Sequence, residues 1–112
     1  MIALVADLMV AVRIEEAAKQ VGATVVAVDS VDELRNELGE ASLIVADLAT
    51  PGIDVEGVAI AAGEAGVSLI GFYPHVDIGL GQAAKRAGVT RVYPRSRFLA
   101  GLHTILREGL DA

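Results

Sequence analysis

The 112-residue sequence has no cysteine and no tryptophan, and only two Tyr and two Phe. Without cysteine there can be no disulfide, no iron–sulfur cluster and no thiol nucleophile, so stability has to come from packing. Aromatics make up 4% of a chain that is 54% apolar, so the core must be assembled from Ala, Val, Leu and Ile on closely approaching elements. Cations are also scarce. Nine Lys and Arg face fifteen Asp and Glu, a formal net charge of -6. That balance repels phosphate backbones and anionic lipid, so neither direct nucleic-acid binding nor membrane attachment is expected. No apolar run approaches the roughly 20 residues that cross a bilayer. The apolar start, Met1 to Val12, lacks a basic leader and carries Asp7 at its centre, so it reads as a buried strand and a helix start rather than an export signal. The expectation is a soluble cytoplasmic protein with one domain over residues 1–112.

What is present is a repeating pattern. Five short apolar runs recur: Ile2 to Ala6, Thr24 to Val28, Leu43 to Ala46, Val67 to Phe72 and Thr90 to Tyr93. The first three are apolar almost throughout, as strands buried on both faces of a parallel sheet require. A helical pattern follows each run. Val10, Ile14, Ala17, Ala18 and Val21 share one face of the first helix. Ser30-Val31-Asp32-Glu33 is a capping box that opens the second, and Gly39 suits its exit. A third helix is predicted over about Val55 to Ala65, with Val58, Ala59 and Ala62 inward. The fourth, near Ile78 to Ala87, is weakened by Gly79 and Gly81, each costing about 1 kcal/mol relative to Ala. The last is predicted as one helix from about Arg97 to Glu108, patterned by Phe98, Leu102, Ile105 and Leu106.

This alternation predicts an α/β fold: a flavodoxin-like (βα)5 doubly wound parallel sheet of five strands, order 2-1-3-4-5, with helices on both faces. Strands 1 and 3 are then neighbours where the winding reverses, and the loops beyond their carboxyl ends form the natural crevice. Asp7 and Asp47 are the acids at those ends.

Strand 3 continues as Asp47-Leu48-Ala49-Thr50-Pro51-Gly52-Ile53-Asp54, which resembles the D-L-x-x-P-G-x-D phosphoacceptor signature of bacterial two-component response-regulator receiver domains (CheY-like). Asp7 aligns with one of that family's two strand-1 acids, and Arg13 falls where a basic residue is common. The resemblance implies Asp47 as phosphoacceptor and a weak Mg²⁺ site from Asp7, Asp47 and the Ala49 carbonyl, with no cofactor strictly required. The departures point to a degenerate pseudo-receiver. Ala6 replaces the other acid, Tyr73 stands at the switch position that holds Ser or Thr, Arg95 at the clamp position that holds Lys, and Ser96 where Pro follows. A register slip of one step would nominate Arg97 in place of Arg95.

Arg95 is expected to pair with Asp47 through both oxygens, occupying the metal's space, with a solvated loop arginine as the bland alternative. Tyr73 is expected to plug the site. Arg91, Arg95 and Arg97 are read as a basic cluster around strand 5 that could receive an acidic partner or small anion. His75 and His103 lack metal-ligand spacing and read as surface histidines, and Gly79-Leu80-Gly81-Gln82 is only half of a dinucleotide fingerprint.

The leading expectation is a non-enzymatic regulatory module acting through protein contacts, with phosphorylation of Asp47 reduced or lost. The resemblance implies a protein partner or homodimer on a helix 4, strand 5, helix 5 face carrying Gln82, Arg86, Arg91, His103 and Arg107. An active Mg²⁺-dependent phosphoacceptor and a flavodoxin-like small-anion or nucleotide-binding domain are the alternatives.

Overall fold

The computed structural model describes residues 1–74 and 76–111. His75 lies outside the described residues, and with it the reading of that side chain. The strands are β1 (Ile2–Leu4), β2 (Val26–Ala27), β3 (Leu43–Asp47), β4 (Ser68–Tyr73) and β5 (Arg91–Pro94). The helices are α1 (Leu8–Gln20), α2 (Val31–Glu37), α3 (Val55–Ala65), α4 (Ile78–Ala87), α5 (Arg95–Ala100) and α6 (Leu102–Asp111). All strand pairs are parallel and their order is β2-β1-β3-β4-β5, the flavodoxin-like arrangement.

Side chains alternate across each strand, so every strand feeds two cores. Ile2, Leu4, Ile44, Ala46 and Leu69 pack on the face covered by Leu34 of α2, Val58, Ala61 and Ala62 of α3 and Ala84 of α4. Leu43, Val45, Ile70 and Phe72 pack on the opposite face with Val10, Ile14 and Ala17 of α1, Phe98 of α5, and Leu102, Ile105 and Leu106 of α6. Phe72 and Phe98 stack with ring centroids 4.5 Å apart. Strand β3 is buried at all five positions. It is the centre of the sheet and ends in Asp47.

Local chemistry sets the helix ends. Asp7, Ser30, Asp54 and Asp77 each accept a backbone amide hydrogen bond at the start of α1, α2, α3 and α4. Glu33 also reaches back, past the Ser30 amide of an ideal capping box, to accept the Asp29 amide at 3.2 Å. Gly66 and Gly88 end α3 and α4 at positive φ, a conformation open to glycine.

Three expectations need correction. The second apolar run is not buried on both faces: β2 has two residues, both exposed, because it is an edge strand, and of the run Val28 is fully buried while Val25 is half-buried against the α1 side. The last helix is two. α5 starts immediately after Pro94, and Gly101 interrupts it with φ -107° and ψ 20° before α6 begins. Arg13 of α1 donates to the Leu99 carbonyl at 3.3 Å, satisfying an acceptor near that break. In α3 it is Ala61, rather than Ala59, that joins Val58 and Ala62 in full burial.

Candidate functional site

The crevice lies beyond the carboxyl ends of β1 and β3. Leu4 of β1 pairs in register with Ala46 of β3, which puts Asp7 and Asp47 at one edge of the sheet. Asp47 follows Leu43 and Val45 in strand parity, so its side chain belongs to the α1 and α5 face. Asp7 at the start of α1 and Arg95 at the start of α5 converge on it.

Asp47 is only 7% exposed and is the buried charged residue among those described. Its Oδ1 accepts the Ala49 amide at 3.0 Å, and among the described residues it receives no other hydrogen bond. Burial pushes its carboxyl above the ordinary range. The Ala49 amide and the Arg95 charge oppose that rise, and the Asp7 charge adds to it.

Asp7 has the opposite environment. Its Oδ1 accepts the Met9 amide at 2.9 Å and the Val10 amide at 3.3 Å. Its Oδ2 is bonded by Nη2 of Arg95, the one salt bridge among the described residues. The Arg95 hydrogen bond and then the Val10 amide hold this carboxyl below the ordinary range, against a smaller effect of burial. Sequence reasoning brought Arg95 to this crevice but gave it the wrong acid. The guanidinium bonds Asp7 rather than Asp47, because Asp7 lies at the helix start facing α5, whereas Asp47 is recessed at the strand end.

Tyr73 does not plug the crevice. It follows Phe72, which faces α5, so strand parity turns Tyr73 to the other face. Its ring lies on α4, where a Cβ on Gly81 would come within 2.6 Å of Cε1. The glycine that weakened the helix pattern is the seat of the tyrosine. The sequence carried this signal in the 72/73 parity relative to Asp47.

The supposed arginine cluster also separates. Arg91 opens β5 opposite Ile70, Arg95 follows its other end, and Arg97 is exposed on α5. Arg95 is bonded to Asp7, which takes it out of any shared anion site with Arg91 and Arg97. Of the residues assigned to an interaction face, Gln82 and Arg86 are exposed on α4 and Arg91 is half-buried. His103 instead lines a groove with Arg13, Glu16 and Leu99, between α1 and the α5/α6 break. Arg107, one turn further on, shares that side of α6. The five therefore do not form one face.

A fit to Mg²⁺ can be judged from the donors. Both oxygens of Asp7 are engaged, and only the second oxygen of Asp47 is unbonded among the described residues. A hard divalent cation wants several oxygens directed at it, so the side chains in this arrangement do not fit one. A small-anion site fares no better. The cavity beside the crevice, about 190 Å³, is walled by Asp29, Asp32 and Asp54 around Leu4, Val31 and Ile53. It is smaller than the few hundred Å³ usual for ligand pockets, and its charge repels anions.

No family model matches the chain, and a comparison with curated proteins gives no match. Solved structures do match in fold. The chain is similar to NtrX from Brucella abortus, with a TM-score of 0.78, 11% identity, and coverage of 98% of this chain but 26% of that one. It is similar to a CheY-like response regulator receiver domain protein from Methanospirillum hungatei JF-1, with a TM-score of 0.78, 15% identity, and coverage of 98% and 91%. It also matches the beryllofluoride-activated NtrC4 receiver domain dimer, with a TM-score of 0.71, 15% identity, and coverage of 96% and 95%. The chain thus spans only part of NtrX and nearly all of the other two. At these identities the likeness is one of fold, and the fold is that of receiver domains. Among the described residues no helix is long and apolar enough to cross a membrane.

Proposed function

We propose that this chain is a receiver-like regulatory module, one domain over residues 1–112, that works in the cytoplasm through protein contacts and not as an enzyme, with phosphoryl transfer to Asp47 reduced or lost. The observation that carries the reading is the engagement of Arg95 by Asp7. Phosphoryl transfer to a carboxylate needs positive charge and a hydrogen-bond donor free to meet the incoming oxygens. Here the cation at the crevice is bonded to a neighbouring acid, and Tyr73 is turned onto α4. Asp47 is recessed, 7% exposed at the end of β3, which limits the approach of a phosphoryl donor to its carboxylate.

Contact with a protein partner or a second copy is favoured by surface chemistry. Leu8 and Met9, beside Asp7, are 80% and 78% exposed, far more than isolated packing requires. Incubation with acetyl phosphate and Mg²⁺, followed by intact-mass and peptide mass spectrometry, tests the reading. No adduct on Asp47 is the expected result, and a stoichiometric one overturns it. Light scattering on a size-exclusion column is expected to show self-association at high concentration if the partner is a second copy.

A further inference from the structure

We propose that the open edge of β2 is a docking site for an extended, basic segment of a partner protein, which adds to the sheet as a further strand beside Val25 and Ala27. This edge is separate from the Asp7–Asp47 crevice, so its occupancy does not depend on what Asp47 does.

The main chain is poised for such a strand. The Met1 amino group donates to the Thr24 carbonyl at 3.1 Å, the Val26 amide to the Met1 carbonyl at 2.9 Å, and the Val28 amide to the Ala3 carbonyl at 2.9 Å. Thr24, Val26 and Val28 thus turn their peptide groups toward β1, and strand alternation turns those of Val25 and Ala27 outward. Among the described residues no turn or loop bond engages these outward groups. Sheet edges are commonly blunted by a charge or a proline. β5, at the other edge, has Arg91 at one end and Pro94 at the other. The run Ala23-Thr24-Val25-Val26-Ala27-Val28 has neither, and Val26 is 43% exposed.

A groove flanks this edge on each face of the sheet. On the α2 side it measures about 440 Å³ and is lined by Val26 with Glu37 and Glu40. On the α1 side it measures about 270 Å³ and is lined by Ala23 and Val25 with Glu15 and Lys19. Alternate side chains of an added strand enter opposite grooves. Glu37 and Glu40 are exposed and form no ion pair among the described residues, while the Met1 ammonium in that groove is committed to Thr24. The α2 side therefore calls for Lys or Arg. The α1 side, where Glu15 and Lys19 offset each other beside Val25, takes an apolar side chain. A basic segment also complements the net charge of -6. A second copy does not: β2 paired antiparallel with its own counterpart about a two-fold axis sets α2 beside α2 and brings Glu37 and Glu40 against the same acids.

A short synthetic peptide alternating Lys and Val is the probe. It is expected to slow hydrogen exchange of the Val25 and Ala27 amides at least about tenfold. A peptide of the same composition, with its Lys and Val in separate blocks, should leave both amides unchanged. Ala27→Pro removes an outward N–H and spares the bonds to β1, which use the amides of Val26 and Val28. It is expected to weaken binding of the alternating peptide at least about tenfold. Glu37→Lys combined with Glu40→Lys, two exposed positions, serves if the proline variant does not fold, and should exchange preference for the Lys peptide for one alternating Glu and Val. Failure of the alternating Lys peptide to protect the two amides at millimolar concentration overturns the proposal, as does equal protection of the parent by the Glu peptide. Protection of the same amides that grows with protein concentration and needs no peptide would put a second copy at the edge and overturn it too.

Discussion

The ring of Tyr73 occupies the space that a side chain on Gly81 would need, with Cε1 2.6 Å and Cζ 2.7 Å from where that Cβ would stand. This contact ties the end of β4 to α4 and draws the tyrosine away from Asp47. Overpacking a site of this kind costs about 1–3 kcal/mol, whereas Ala gains only about 1 kcal/mol over Gly in a helix interior. Gly81→Ala is therefore expected to destabilise the protein by about 1 kcal/mol in urea unfolding. In a Tyr73→Ala background the same substitution should become stabilising, since only the helix preference remains. A stabilised Gly81→Ala single variant would contradict the packing described.

Asp47→Asn keeps an oxygen for the Ala49 amide and removes a charge from a buried position. At neutral pH it is expected to raise stability by about 1 kcal/mol, the scale of relieving a desolvated group. The folded-state pKa of Asp47 is raised, so its favourable contribution is complete below the ordinary carboxylate pKa and is lost as pH rises through the folded value. The advantage of the variant should accordingly shrink to nothing in acid. Unfolding curves at pH 7 and near pH 3.5 measure both ends.

The pH dependence of Asp7 runs the other way. Its folded pKa is depressed, so its contribution is complete above the ordinary carboxylate pKa and is lost as pH falls through the folded value. Asn remains a good helix cap, so Asp7→Asn isolates the bond to Arg95 from the cap itself. The variant is expected to melt lower than the parent at neutral pH, with the gap closing in acid. The gap should also narrow in concentrated salt, because the pair is about one-third exposed and open to screening. A gap unchanged by acid and salt would mean that the pair contributes nothing.

Ser30→Ala removes the side-chain oxygen that accepts the Glu33 amide at 3.1 Å. The expected loss is about 1 kcal/mol by denaturant titration. Glycine at the same position should lose only a few tenths, which distinguishes the capping role from simple packing.

The architecture was legible along the chain. All five apolar runs contain strands, three of them with buried positions, α3 and α4 span the ranges that their periodicity indicated, and Ser30 caps the Glu33 amide as its spacing required. These features repeat every two or 3.6 residues, so neighbours in the sequence suffice to reveal them. The short β2 escaped because an edge strand and a buried strand can have the same composition. Gly101 was read through because one glycine in a long amphipathic pattern does not announce a break.

The crevice was half legible. Its acids follow from strand ends and winding order, which local patterns convey. Which acid the arginine bonds, and which way the tyrosine turns, depend on groups far apart in the chain: 88 residues separate Asp7 from Arg95, and 86 separate Arg13 from the Leu99 carbonyl. Such meetings are set by the packing of α1 against α5 and α6 on one face and of α4 on the other. The residues alone named the charges, and the folded sheet chose their partners, because an ion pair is decided by distance and burial and neither is encoded within a few residues of either group.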